Sequence, residues 1–244
     1  MFDEKVVVVT GTSKGIGNSI VRSFLNKNST VFACTSKEDH NSLLNLKKKE
    51  KYDKLNIVKF NLAEENEIKT AAKQIIDKCD GIDVVINNAG IIDTSLFQMT
   101  KIDDIKKIFE INFFSQLRFL QLILKKMIIR KKGSIINISS TAGIDPSIGR
   151  LAYSSSKAAM IIASKTLSKE LSRNNIRVNV IAPGLTDTEM MHKNHNKQII
   201  EDELKKISLK RIANPDEIAD VCTFLASDAS SYVNGQVIRV DGGV

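Results

Sequence analysis

The chain has 244 residues, 42% hydrophobic and 26% charged, which excludes a disordered polypeptide and supplies enough apolar mass for one large core. Its net charge of +8 comes from 28 Lys and only 8 Arg. Arg is the side chain suited to a bidentate grip on phosphates and bases, and the lysines carry no interleaved aromatics, so the surplus does not indicate nucleic-acid recognition.

The most apolar stretch, INFFSQLRFLQLILKKMII, is broken by Gln116, Arg118, Gln121, Lys125 and Lys126, and falls short of the roughly 18 apolar residues of a membrane span. MFDEK passes directly into VVVV, without the length or small-residue cleavage site of a signal peptide. A cytoplasmic protein is predicted. Cys34, Cys79 and Cys222 are odd in number, widely spaced and without a CxxC pair, which predicts three small buried hydrophobes rather than disulfides or a zinc site. His192 and His195 stand three apart with no Cys or other His nearby, so no metal is expected. Two basic clusters, KKKEKYDK (47–54) and KKMIIRKK (125–132), suit helix C-termini, and docking of an acidic partner is the alternative.

In chain order, short β-branched runs alternate with amphipathic segments. The runs are KVVVVT (5–10), STVFACT (29–35), LNIVKFN (55–61), IDVVINN (82–88), SIINIS (134–139), IRVNVIA (176–182) and QVIRVD (236–241). Between them, apolar residues recur at helical spacing, as in Ile16-Ile20-Phe24 and Ile68-Ala72-Ile75-Ile76. Strands that are continuously apolar are buried on both faces. The pattern therefore predicts an α/β fold, a single-domain Rossmann-type, doubly wound, parallel seven-stranded sheet with helices on both faces, spanning 1–244. Residues 185–212 are a polar insertion placed where a substrate lid would sit, and Asn214-Pro215 reads as an N-cap with proline at the first helical position.

The first strand runs into TGTSKGIG and then a helix. Its glycines are spaced G-x-x-x-G-x-G, and such a loop lets backbone approach a pyrophosphate at a helix N-terminus. Gly11, Ser13, Lys14, Gly15, Ile16 and Gly17 are the loop candidates for cofactor contact. At the end of the second strand, Cys34, Thr35, Ser36 and Lys37 stand where a carboxylate would hold a ribose 2′-hydroxyl. With Lys14 and Lys37 available to neutralise a 2′-phosphate, and Ser36 between the strand and Lys37, NADP (NADPH) is predicted over NAD.

Tyr153 and Lys157 lie at i and i+4 in LAYSSSKAAM, on one helix face just after the fifth strand. A phenol beside an ammonium and a nicotinamide suits ketone–alcohol interconversion. With TGTSKGIG, NNAG (87–90), Asn112 in INFF, Ser140, Tyr153-Ser-Ser-Ser-Lys157, Pro183-Gly184 and the terminal VDGG in order, the chain resembles the short-chain dehydrogenase/reductase family along essentially its whole length. The resemblance implies that Tyr153 is the general acid and that Ser140, not its neighbour Ser139, polarises the carbonyl. It also implies that Lys157 holds the nicotinamide ribose and lowers the Tyr153 pKa, and that Asn112 anchors a water in a proton relay. Asn61 and Leu62 are implied near the adenine, Asn88, Ala89 and Gly90 beside the cofactor, and Pro183, Gly184, Thr186 and Thr188 around the carboxamide and lid.

Within that family, the compact single domain and the run PGLTDTEM leading into the lid resemble the 3-oxoacyl-[acyl-carrier-protein] reductases. That likeness implies a β-keto thioester substrate, fatty-acid synthesis, and an acidic carrier protein docked on Arg130, Lys131, Lys132 and Arg173. It further implies a homotetramer or homodimer built through 101–130 and 152–173. A reductase of a sugar, polyol or other small ketone remains the enzymatic alternative. An inactive nucleotide sensor is disfavoured because Asn112, Ser140, Tyr153 and Lys157 are all present.

Overall fold

The computed structural model describes residues 4–36, 41–48, 52–194 and 197–244. Strands β1 (Val6–Thr10), β2 (Thr30–Thr35) and β3 (Leu55–Lys59) alternate with helices α1 (Gly15–Asn26), α2 (Asn41–Lys47) and α3 (Glu65–Lys78). β4 (Val84–Asn87) leads through α4 (Ile102–Phe109) and α5 (Ser115–Arg130) to β5 (Gly133–Ile138). Then come α6 (Leu151–Leu171), β6 (Ile176–Pro183), α7 (Glu189–Asn194), α8 (Lys197–Lys206), α9 (Pro215–Ala226) and β7 (Val237–Val240). Among the described residues these strands form one seven-stranded sheet in the order β3-β2-β1-β4-β5-β6-β7, with every pairing parallel. Each strand starts and ends within two residues of the sequence expectation.

Alternation of side chains along β1 explains why its sequence is apolar without a break. Val7 and Val9 face a core formed with Ile20 and Phe24 of α1 and Cys222 and Leu225 of α9. Val8 faces the opposite core, made with Ile68 and Ile75 of α3 and Phe119, Ile123 and Met127 of α5. Each fully buried side chain of this size contributes roughly 1.5–3 kcal/mol of hydrophobic stabilisation.

β1 lies centrally, and the chain runs outward from it to β2 and β3 before crossing to β4. Loops leaving β1 and β4 therefore diverge, and the carboxyl ends of the two strands open a crevice between them.

The insertion at 185–212 is not an irregular loop but contains α7 and α8. Its ends are stitched together: Asp187 N donates to Ala213 O at 2.9 Å and Ala213 N to Leu185 O at 3.0 Å. α9 begins with the expected cap. Asn214 Oδ1 accepts from Asp216 N, while Glu217 Oε2 accepts from Asn214 N, closing a capping box with Pro215 at the first helical position.

Cys34 and Cys222 are core residues as expected, but Cys79 is only half-buried, because it ends α3 and its thiol donates to Ile75 O. The cluster at 125–132 closes α5, with Lys131 in the left-handed conformation at φ 49°. Of the cluster at 47–54, residues 49–51 lie outside the described residues, as does His195. No group of metal-ligating side chains forms among the described residues.

Gly17 is where the turn from β1 into α1 tolerates no side chain. A Cβ there would lie 2.0 Å from Gly11 O and 2.6 Å from Asn88 Nδ2. The nearest obstructing atom is backbone, so the loop itself would have to move. Gly17→Ala should lower Tm by at least about 5 °C. Thermal unfolding followed by circular dichroism checks this, and an unchanged Tm would refute the steric clash.

Candidate active site

The site is assembled from the loop after β1 upward. Thr10, the last residue of β1, is fully buried, and its hydroxyl accepts from Asn88 N and Ala89 N, each at 3.0 Å, while donating to Gln116 Oε1. The Asn88 side chain returns the connection, donating to Thr10 O at 3.0 Å and Gly11 O at 2.9 Å. Gln116 Nε2 completes it by donating to Ala89 O. Thus the β1 and β4 loops are locked in register just where the crevice opens. Gly11 sits at φ +69° with Ala89 backbone 2.6 Å from where its Cβ would be, so glycine is required by both conformation and space.

α1 then starts with no side-chain cap and no acidic residue in its first turn. Its N-terminal N–H groups and positive dipole end are thereby left for an external anion.

The second half of the site depends on how α6 is seated on β5. The Ser139 hydroxyl donates to Lys157 O at 3.0 Å, and Asn137 Nδ2 donates to Ser164 Oγ at 2.7 Å. Ser140, one residue on, faces the opposite way. Its Oγ accepts from Ala142 N at 3.1 Å, and it lines the cavity together with Tyr153.

Burial raises the Tyr153 pKa above the ordinary phenol value, with the Ser140 hydrogen bond and the Arg150 charge opposing the rise. The neutral phenol is therefore the resting form. Tyr153 is half-buried, whereas Lys157 is buried, donates to Ile138 O at 2.9 Å, and lies 5.8 Å from the Tyr153 ring centre. Burial pushes its ammonium down to about 8.

Asn112 occupies a π-helical turn, Glu110–Phe114, between α4 and α5, a local widening of the helix that often marks a functional position. Its amide is engaged on both sides: Nδ2 donates to Ile91 O and Ser156 Oγ, and Oδ1 accepts from Ile91 N. It stands behind the cavity wall at Gly90, where an added Cβ would be 3.2 Å from Asn112 Oδ1 and 3.4 Å from Lys157 Nζ. The side chain thus braces the wall rather than lining the cavity.

One cavity of about 960 Å³ runs across the carboxyl ends of the strands. Its nucleotide half collects Gly11, Ser13, Lys14, Gly15, Ile16 and Gly17 with Ser36, Asn61 and Leu62. Its middle is formed by Asn88, Ala89, Gly90, Ser140, Tyr153 and Lys157, and its lid side by Pro183, Gly184, Thr186 and Thr188. Lys37 lies outside the described residues. Asn61 uses its side-chain oxygen locally, accepting from Ala63 N at 3.0 Å, which leaves its amide N–H₂ as the group to turn toward a ligand.

Several lining residues carry no sequence signal of their own. Ile92, Ile148, Met190, Met191 and Ile199 form apolar walls, and Arg150 stands one helical turn before Tyr153. Thr10 and Gln116 were likewise silent, although a threonine ending the first strand, directly before the glycine loop, is the one hint available.

With this geometry established, the comparisons with known proteins are decisive. A family model described as enoyl-(acyl carrier protein) reductase matches residues 11–244. The chain is 39% identical to the 3-oxoacyl-[acyl-carrier-protein] reductase FabG of Thermotoga maritima, over 100% of this chain and 98% of that protein. It is 35% identical to the Aquifex aeolicus enzyme of the same name, over 98% and 97%, and 34% identical to that of Chlamydia trachomatis, over 98% and 97%. The chain belongs to the short-chain dehydrogenase/reductase family. This short-chain dehydrogenase/reductase is an oxidoreductase acting on CH–OH groups with a nicotinamide cofactor, and none of its described helices is long and apolar enough to cross a membrane. The residues present fit such a cofactor, because an uncapped helix N-terminus and a glycine loop face a cavity large enough for a dinucleotide and a substrate together.

Burying the Lys157 charge costs stability. Its folded pKa of about 8 lies below the 10.5 of a free lysine, so the unfolded chain holds the proton more tightly and stability rises with pH between those values. At pH 7 the penalty is on the order of 3 kcal/mol, offset by roughly 1 kcal/mol from the bond to Ile138 O. Lys157→Met should raise Tm at pH 7 by about 3 °C while abolishing turnover. A lowered Tm would show that the ammonium stabilises the fold.

Proposed function

We propose that this chain is an NADPH-dependent 3-oxoacyl-[acyl-carrier-protein] reductase, converting a β-keto thioester to the β-hydroxy thioester in fatty-acid synthesis. The observation that carries this reading is that Ser140 and Tyr153 line one apolar-walled cavity together with Lys157, alongside whole-length relatives that bear this name. Two hydroxyl donors on the wall of the same cavity suit a single ketone oxygen. Ile92, Ile148, Met190, Met191 and Ile199 suit an acyl chain.

In this reading Ser140 donates a hydrogen bond to the ketone oxygen and fixes its position. Tyr153 then transfers its phenolic proton to that oxygen as negative charge develops there. A nicotinamide held there would supply the hydride for the carbonyl carbon. Burial of Tyr153 keeps it protonated beforehand, and the Lys157 ammonium stabilises the phenolate left behind. Asn112 acts through Ile91 and Ser156 to hold the wall at Gly90. Ser13, Ile16, Gly15 and Gly17 would lie along the pyrophosphate, Ser36 and Asn61 along the adenosine, and Thr186 and Thr188 along the carboxamide.

Preference for NADP is supported by Lys14 at the mouth of the glycine loop and by the absence of a carboxylate at Thr35 and Ser36. Docking of an acidic carrier is supported by exposed Lys131, Lys132 and Arg173. Assembly into a homotetramer or homodimer through α4, α5 and α6 is supported by exposed Ile102, Ile129 and Ile162. Three free cysteines fit a cytoplasmic setting. Arg150, Asn194 and Glu203, which also line the outer cavity, favour the second reading, reduction of a hydroxylated small ketone.

NADPH oxidation with acetoacetyl-carrier protein, run beside sugars and small ketones, decides between them. Turnover on the thioester at least about tenfold faster in kcat/KM than on any free ketone is the expected result, and activity confined to the small ketones would refute it. Tyr153→Phe should lower kcat by at least about 10³-fold with NADPH affinity within about twofold of the parent, as measured by nicotinamide fluorescence. Near-normal turnover would remove Tyr153 from the mechanism.

A further inference from the structure

Glu189 opens α7 at the start of the lid, far in sequence from the glycine loop, yet its carboxylate meets that loop. Lys14 Nζ donates to Glu189 Oε2 at 2.9 Å, and Lys193, one turn further along α7, pairs with the other oxygen. The lid packs against the loop beside this contact, because a Cβ on Gly15 would lie 3.0 Å from the Thr188 side chain at Cγ2. Thus the lid delivers a negative charge to the edge of the cavity where α1 lacks both a cap and an acidic first turn.

Three features make this carboxylate an exchangeable occupant rather than a fixed strut. The Lys14 and Glu189 side chains are 51% and 45% exposed, so water can replace either partner at little cost. A phosphate dianion offers Lys14 more charge and more acceptor oxygens than a carboxylate. Lys193 keeps its hold on Glu189 when Lys14 is drawn away, so the exchange strands no charge.

We propose that Glu189 is a specificity-determining residue whose carboxylate competes with the 2′-phosphate of an adenosine dinucleotide for Lys14. A cofactor bearing that phosphate displaces the carboxylate and frees this edge of the lid, whereas one with a 2′-hydroxyl leaves the ion pair across the loop. The lid ends stay anchored through Leu185, Asp187 and Ala213, so the released portion is α7 together with α8. The inference rests on the reading of Lys14 as the phosphate contact.

The test uses the full chain and four probes, NADPH and NADH by nicotinamide fluorescence, and adenosine 2′,5′-bisphosphate and 5′-AMP by calorimetry. Within each pair the 2′-phosphate is what differs in the ribose. Glu189→Gln should tighten NADPH and the bisphosphate about threefold to fivefold and leave NADH and 5′-AMP within about 1.5-fold. In a Lys14→Gln background the same change should do nothing, since the competition has lost its object. Equal shifts for both members of a pair, weaker NADPH binding, or a gain that persists without Lys14 would each overturn the proposal. Normal NADPH preference with no response to Glu189→Gln would overturn it alone. Equal wild-type affinity for NADPH and NADH, unmoved by Lys14→Gln, would overturn the cofactor reading with it.

Discussion

The buried hydroxyl of Thr10 ties the end of β1 to the start of the β4 loop, and the rest of the site is built on that tie. Thr10 accepts from two consecutive backbone N–H groups, and Asn88 answers by donating to two consecutive carbonyls. These groups lie where the strand order reverses, so they would otherwise face the crevice unpaired at a cost of roughly 1–3 kcal/mol each. Satisfying them within the protein holds the glycine loop against β4. Only with that spacing does the N-terminus of α1 open onto the same cavity as Tyr153.

α6 is the second fixed element. Its position depends on polar contacts made by residues that do no chemistry: Asn137 on Ser164, and Ser139 on the backbone of Lys157. Ser139 and Ser140 illustrate the economy of a strand end. Adjacent residues point to opposite sides, so one seats the helix and the other faces the ketone.

Stability is spent on reactivity at this point. A half-buried phenol and a buried ammonium stand within one helical turn, and loss of solvent drives both toward their neutral forms. For Tyr153 the neutral form is the proton donor that reduction needs. For Lys157 it brings the loss of charge close to working pH, so the ammonium responds to whatever occupies the cavity.

The alternation of strands and helices, the glycine loop and the Tyr153–Lys157 pair could be read directly from the chain, because periodicity and i, i+4 spacing are local properties that backbone geometry turns into faces. Strand ends were legible to within two residues for the same reason. The role of Lys14 was legible only in part: its place before α1 comes from the motif, but its pairing with Glu189 does not, since no local rule brings a lid residue to the first loop. Asn112 was recognised by its motif, yet that its amide is consumed by Ile91 and Ser156 depends on a π-helical turn that the sequence does not announce. The apolar walls and Arg150 came from separate segments folded over one another. The sequence alone thus determined the elements and the chemistry-bearing side chains. Which of those side chains share a cavity, and which charges meet across it, was decided by tertiary packing, because those distances are set by how the sheet orders its strands and not by separation along the chain.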